Sequence, residues 1–275
     1  MGLNRAMVKQ GLKILKYKKN LGLKTLLDVS KINSSPSTYQ LGYMIGPRIN
    51  AGGRVGKCSH GANLLIEKNP KNVFKIATEL EQYNKERQML ERDLLNKILQ
   101  NSKDFLSDPV LILHGSNWHE GVIGIVASRL KEKFNKPVIL ISVNGVIGKA
   151  SARSVVGFDI GSIIIAATQK KILLKGGGHK MAGGFTIDIE NLNKFKDFIF
   201  NKYQKNNINI DKEKILYLDS VISPTAINLE FYNKISLIGP FGSGNPEPKF
   251  LVQNLRLVNN TIVGEKHIKS ILVEK

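Results

Sequence analysis

From Pro70 to Gln100 the chain has no further proline and no glycine. Its apolar residues there (Val73, Ile76, Ala77, Leu80, Tyr83, Leu90, Leu94 and Ile98) recur near the helical period. The charged run EQYNKERQMLERD places opposite signs at helical spacing. This pattern predicts one long helix with much exposed surface, connecting two domains. A coiled-coil dimer is the alternative, but the heptad breaks at Asn84 and Arg87.

Downstream, short apolar runs alternate with amphipathic ones. PVLILH (109–114), KPVILIS (136–142), NGVIGKASARS (144–154) and GFTIDI (184–189) read as strands. GVIGIVASRLKEKF (121–134), FDIGSIIIAATQK (158–170) and NLNKFKDFIFNKYQK (191–205) read as helices. That alternation predicts an α/β sheet domain. KNNINID (205–211) is a polar linker. Strand-like runs follow at 214–222, 249–258 and 267–275, with a helix-like stretch around 225–236 and the turn GPFGSGNPEP (239–248) between them. They predict part of a small β-barrel. Upstream, residues 5–29 predict one or two short helices and 33–40 a Ser/Pro turn. LGYMIGPRINAGGRVG (41–56) predicts a glycine-rich loop, and residues 60–67 a short helix. No internal repeat or low-complexity segment interrupts this order.

Composition narrows the partner class. The net charge is +19, which favours polyanions and makes nucleic acid the default partner. Lys and Asn rise together under AT-rich coding, so part of this excess carries no function. The eight arginines say more, because the guanidinium fork suits phosphate. Arg48, Arg54 and Arg153 fall in Gly/Ser/Ala-rich stretches rather than on polar helix faces. The single cysteine, Cys58, excludes an internal disulfide and a cysteine-based zinc site, in keeping with a cytoplasmic protein. No apolar run approaches the ~18 residues that span a bilayer. The basic start MGLNRAMVKQGLKILKYKKN lacks a secretory h-region and reads as a surface helix, with a membrane-surface helix as the alternative. Ala6 stands where a myristoylation signal needs Ser or Thr.

Four stretches hold candidate chemistry. GPRINAGGR (46–54) sets Arg48 and Arg54 among glycines that let backbone approach an oxyanion. GKASARS (148–154) puts Ser151, Arg153 and Ser154 at a strand end, where hydroxyl and guanidinium donors suit a terminal phosphate. KGGGHKMAGGF (175–185) offers the amides of Gly176, Gly177 and Gly178 beside His179. SNWHEGVIGIVASR (116–129) holds Trp118, His119 and Glu120, whose adjacency suits helix capping rather than a metal pair. Each stretch alone is equally well read as a turn with solvated side chains. Carboxylates are scarce: Asp28 is the only acid in the first 66 residues, and neither Asp-x-Asp nor Asp-His-His occurs. The phosphate-binding half of a two-metal phosphodiesterase site is present without the metal-binding half.

Taken in order, NRAMVKQGLKIL, GPRINAGGR, the long helix, NWHEGVIGIVASRLKEKFNKPVILIS, GKASARSVVGFDI, GGGHKMAGGFTI and GPFGSGNPEP resemble the RecJ single-stranded-DNA exonucleases of the DHH phosphoesterase superfamily. The likeness runs from about residue 4 to residue 270. GGGHKMAGG resembles the signature of the DHHA1 domain, which other oligonucleotide phosphodiesterases share; the flanking stretches favour RecJ.

The resemblance implies four parts: 1–69 as the end of a DHH domain, 70–106 as a connector helix, 107–206 as a DHHA1 mixed sheet with flanking helices, and 207–275 as an incomplete OB-like barrel. It implies 5′→3′ hydrolysis of single-stranded DNA in recombination and repair. Ser151 and Arg153, with Ser154, would anchor the 5′ end. Arg54, or Arg48, would face the scissile phosphate with Asn50 beside it. His179 and the amides of Gly176, Gly177 and Gly178 would complete the pocket. The family's Mn²⁺ or Mg²⁺ ligands lie in a DHH domain that this sequence lacks. The chain is therefore expected to be a fragment, inactive unless a second chain supplies that domain. A non-catalytic single-strand-binding module or gene remnant is the alternative expectation.

Overall fold

Two helices stand where the N-terminal pattern predicts them, α1 (Gly2–Lys16) and α2 (Leu21–Val29). Asn20 starts α2 by accepting the Leu23 amide at 2.9 Å, which satisfies one of the unpaired first-turn donors. The computed structural model describes residues 2–32, 36–100, 107–205, 215–264 and 267–274.

The next stretch departs from expectation. GPRINAGGR is helical, α3 (Gly46–Val55), entered through a π-helical run Gln40–Ile45. Pro47 sits in the first turn, where its missing N–H costs nothing. The glycines serve close approach instead of a loop: a Cβ on Gly52 would stand 2.7 Å from the Lys57 carbonyl oxygen and 3.3 Å from Leu80 Cδ2. The short helix α4 (His60–Ile66) follows.

The long helix α5 spans Pro70–Gln100. Its buried residues are Val73, Ala77, Leu80, Asn84, Arg87, Glu91, Leu94 and Ile98. The stripe does not fail at Asn84 and Arg87; it continues through polar side chains that bond to one another. Arg87 donates to Glu91 Oε2 at 2.7 Å and to Asn84 Oδ1 at 2.8 Å. Glu91 also pairs with Arg129. The stripe packs on α2, α3 and α4 in its first half and on the helix Glu120–Phe134 in its second. A dimer seam is thus already occupied within the chain.

The sheet follows from β1 (Leu111–Ser116), α6 (Glu120–Phe134), β2 (Val138–Asn144), β3 (Ile147–Arg153), α7 (Ile160–Gln169), β4 (Lys175–His179), β5 (Ala182–Asp188) and α8 (Leu192–Lys205). Strand order is β1-β2-β3-β5-β4; β1 and β2 pair parallel, and every other pair is antiparallel. KGGGHKMAGGF is therefore a hairpin rather than an open loop, with only Lys180 and Met181 at its tip. One sheet face is sealed by α7 and α8. Ile139, Ile141, Ala152, Phe185, Ile187 and Phe195 are buried there, each large side chain contributing about 1.5–3 kcal/mol. On the other face α6 covers Leu111, Val138 and Leu140. α6 packs on β2 and β3 and leaves the same face of β5 and β4 open.

The remaining elements are β6 (Ser220–Ile222), α9 (Leu229–Ile238), β7 (Phe250–Val252), β8 (Leu255–Val263) and β9 (His267–Glu274). β6 pairs with β7 in parallel and β8 with β9 antiparallel; among the described residues they do not close into a barrel. The linker expected over 205–211 lies, apart from Lys205, outside the described residues. By internal packing the chain divides into two units, Met1–Lys19 with Ser34–Gly42 and Glu213–Lys275, and Asn20–Asn33 with Tyr43–Lys212. In the first unit, Arg5 reaches the carbonyls of Leu237, Ile238 and Gly239. A cation there suits the unpaired carbonyls at the end of α9.

Candidate nucleic-acid interface

Strand register decides which side chains meet. Arg153 pairs with Ala182, which pairs with His179; Ser151 pairs with Gly184, which pairs with Gly177. Directly opposed residues project to one face, so Arg153, Ser151, His179 and the bare backbone of Gly177 and Gly184 share the face on which α6 lies; α6 packs against Arg153 and Ser151 and leaves the β5 and β4 positions open. Strands lie about 4.8 Å apart, which sets the β3 and β4 positions about 10 Å from each other across the β5 floor.

The glycines of the hairpin divide by face. A Cβ on Gly176 would meet Ile164 and Phe185 within 2.8 Å, and one on Gly183 would stand 2.5 Å from Ile164 Cδ1. Those glycines let α7 close on the sheet. A Cβ on Gly177 meets nothing within 4 Å. The fold has no packing need for glycine there, so the flat floor is left for something outside the fold.

Arg153 is half-buried. Its Nε donates to Ser128 Oγ at 3.1 Å, and its Nη1 to Ser151 Oγ at 3.1 Å and to the Ala152 carbonyl at 2.8 Å. Gly124 makes room for it: a Cβ there would stand 3.0 Å from Arg153 Nη2. Burial, and then the charge of Arg54, hold the Arg153 guanidinium below its usual pKa. No carboxylate among the described residues pairs with it. A half-buried cation neutralised only by hydroxyl and carbonyl dipoles is an anion site in waiting.

Arg54 ends α3 and donates to the Gly121 carbonyl at 3.0 Å. Its backbone oxygen lies where a Cβ on Gly121 would be, at 2.1 Å, so the start of α6 fits only as glycine. Arg48 goes elsewhere: half-buried, it pairs with Glu81 and donates to the Met44 carbonyl at 2.7 Å. Asn50 is exposed on α3. Ser154 is buried, 1% exposed, and donates to the Phe158 carbonyl at 2.6 Å, so it shapes the turn after β3. His179 is exposed and its Nδ1 accepts the Met181 amide at 3.3 Å. In the neutral ring this leaves the proton on Nε2, as a donor. His119 caps α6, as its position before the helix predicted, by accepting the Gly121 amide at 3.1 Å. Sequence reasoning missed Lys149, Lys175 and Thr186 on the same open face, and Glu91, which holds Arg87 and Arg129. The i, i+2 spacing of Lys149, Ser151 and Arg153 was the available signal.

Comparison with known proteins agrees with this fold. The DHHA1 domain model matches residues 107–205, and the RecJ OB domain model matches residues 218–275. The chain is 32% identical to the single-stranded-DNA-specific exonuclease RecJ of Haemophilus influenzae, covering 99% of this chain and 49% of that one. It is likewise 32% identical to RecJ of Escherichia coli, covering 98% and 48%. The crystal structure of RecJ with Mn²⁺ from Thermus thermophilus superposes with a TM-score of 0.84 at 28% identity, over 98% of this chain and 40% of that one.

The chain belongs to the RecJ family. It spans about half the length of the curated RecJ relatives that it matches. The mixed sheet with flanking helices is the RecJ DHHA1 architecture, as expected, and an OB domain follows it. The Thermus thermophilus RecJ has been solved with Mn²⁺ and with Mg²⁺, so a divalent metal is the family's cofactor. The residues here do not fit it. Among the described residues no group of three or more His, Cys, Asp or Glu side chains could hold a metal ion. No step is therefore derived through a metal on this chain. No described helix is long and apolar enough to cross a membrane.

Proposed function

We propose that this chain is the strand-holding part of a RecJ-type 5′→3′ exonuclease acting on single-stranded DNA. The observation that carries the reading is Arg153, half-buried against α6, without a carboxylate partner among the described residues, and on the same sheet face as the bare glycine backbone. Arg153 and Ser151 take the 5′-terminal phosphate. His179, through Nε2–H, and Arg54 face the next phosphate and stabilise charge that develops on it. Gly177 lets the strand backbone lie flat on the sheet between them, with Gly176 and Gly178 holding the hairpin in shape. Arg48 supports α3 through Glu81 and leaves the phosphate to Arg54. Residues 1–69 then correspond to the end of the metal-bearing domain, 70–106 to its connector, and 107–206 and 207–275 to the two strand-binding domains.

Hydrolysis needs metal ligands from outside these residues, so the chain alone binds without cutting. Incubation with Mn²⁺ and 5′-phosphorylated single-stranded DNA should release no mononucleotides; robust digestion would sink this assignment. Arg153→Ala should weaken binding to 5′-phosphorylated strands about tenfold more than to 5′-hydroxyl strands, a loss of about 1.4 kcal/mol. Equal losses would refute the end-anchoring role. Affinity should fall steeply with salt, as several phosphates are neutralised.

A further inference from the structure

The open face continues past the end-anchoring pair. Lys149 pairs with Thr186, which pairs with Lys175, so the three project beside Ser151 and Gly184 on one face. A pocket of about 510 Å³ lies there, lined by Glu120, Lys149, Ser151, Lys175, Gly184 and Thr186 among others. Lys149 lies four residues before Arg153 on β3, about 14 Å along the strand, too far for one phosphate to bridge both. Lys175 has no carboxylate partner among the described residues. Lys149 pairs at 2.9 Å with Glu120, and both side chains are about half exposed, at 57% and 49%. Such an exposed pair is worth little and is readily exchanged.

We propose that this pocket is a second phosphate subsite, in which Lys149, Lys175 and the Thr186 hydroxyl bind an internal phosphate of the same strand. Lys149 exchanges Glu120 for the phosphate, and Glu120 screens the subsite when it is empty. The inference rests on the reading that Arg153 anchors the 5′ end, since it assigns the neighbouring stretch of one continuous track. Two lysines add affinity at any position along a strand and no preference for its end; Arg153 adds the preference.

Fluorescence anisotropy with an oligo(dT) of about eight nucleotides, bearing either a 5′-phosphate or a 5′-hydroxyl, separates the two subsites. Lys149→Gln with Lys175→Gln should weaken binding to both oligonucleotides about tenfold and flatten the salt slope by about two, one per lysine. The 5′-phosphate preference should persist, and Arg153→Ala should remove it. Glu120→Gln should tighten binding to both strands severalfold. Unchanged affinity and slope in the double variant, loss of the 5′-phosphate preference in it, or weaker binding by Glu120→Gln would each overturn the proposal. If the unsubstituted chain shows no end preference, the end-anchoring reading fails alone, and the lysine effects on affinity still decide the second subsite. Thermal melting confirms that each variant is folded. Should the double variant misfold, Lys175→Gln alone tests the same point at half the slope change, because its side chain is unpaired in the fold.

Discussion

Two glycine-rich stretches, GPRINAGGR and KGGGHKMAGG, look alike as sequences and do opposite things. In the first, a helix, glycines let backbone and side chains close in, and charge is neutralised inside: Arg48 meets Glu81, and on the adjoining face of α5 Arg87 meets Glu91. In the second, a hairpin, alternate glycines face opposite ways. One set admits α7, and the other leaves a bare floor beside Arg153 and Lys175, which no carboxylate among the described residues answers. Glycine content therefore does not mark a phosphate cradle. Whether a Cβ at the position would meet protein or open space separates the glycines that packing requires from those it does not.

Substitutions that add a methyl group test this contrast, and the largest effect is expected where backbone is in the way. Gly121→Ala should cost about 3 kcal/mol, read as a lower melting temperature, because the Arg54 carbonyl occupies the place of its Cβ. An unchanged melt would break the packing account of the first stretch. Arg48→Ala should cost about 2 kcal/mol by leaving the largely buried Glu81 with only the distant Lys85, 3.9 Å away, as a partner, and should change single-strand affinity little. A large affinity loss there would move Arg48 into the interface.

Gly177→Ala should do the reverse. It should leave stability unchanged or raise it by about 0.5 kcal/mol, since glycine is unfavourable within a strand, while binding of 5′-phosphorylated DNA falls severalfold. A destabilised variant with full affinity would erase the difference between the two stretches. The smallest effect concerns acid. Asp159 caps α7 beside the hairpin, and the Ser162 amide it accepts holds its pKa below the usual value. A lowered folded pKa gives stability that is present above the unfolded value, near 4, and lost as pH falls through the folded one. Asp159→Asn should keep the cap and flatten that acid loss in a melting series below about pH 4.

Much of the fold was legible because burial writes its period into the chain. Alternating apolar runs marked β1, β2 and β5, and the 3.6-residue pattern marked α5, α6 and α8. Arg153, Ser151 and His179 were visible as chemistry-bearing residues in glycine-rich surroundings. The helical state of Arg48 and Arg54 was not, because a run of glycines carries no apolar period and reads as a loop. The buried trio Asn84, Arg87 and Glu91 looked like a break in the heptad, since a residue's type does not tell whether its partner lies one turn away.

The sequence by itself determined most of the element types, the basic charge and the likeness to RecJ, because those depend on residue identity and short-range period. Only the tertiary structure decided which cations share one sheet face. Arg153, Ser151, Lys149, His179 and Lys175 come together through antiparallel register across three strands. Arg48, second to Arg54 on paper, is withdrawn by a glutamate 33 residues away. Register and long-range charge pairing are set by how the chain packs as a whole, and a local window of sequence does not contain them.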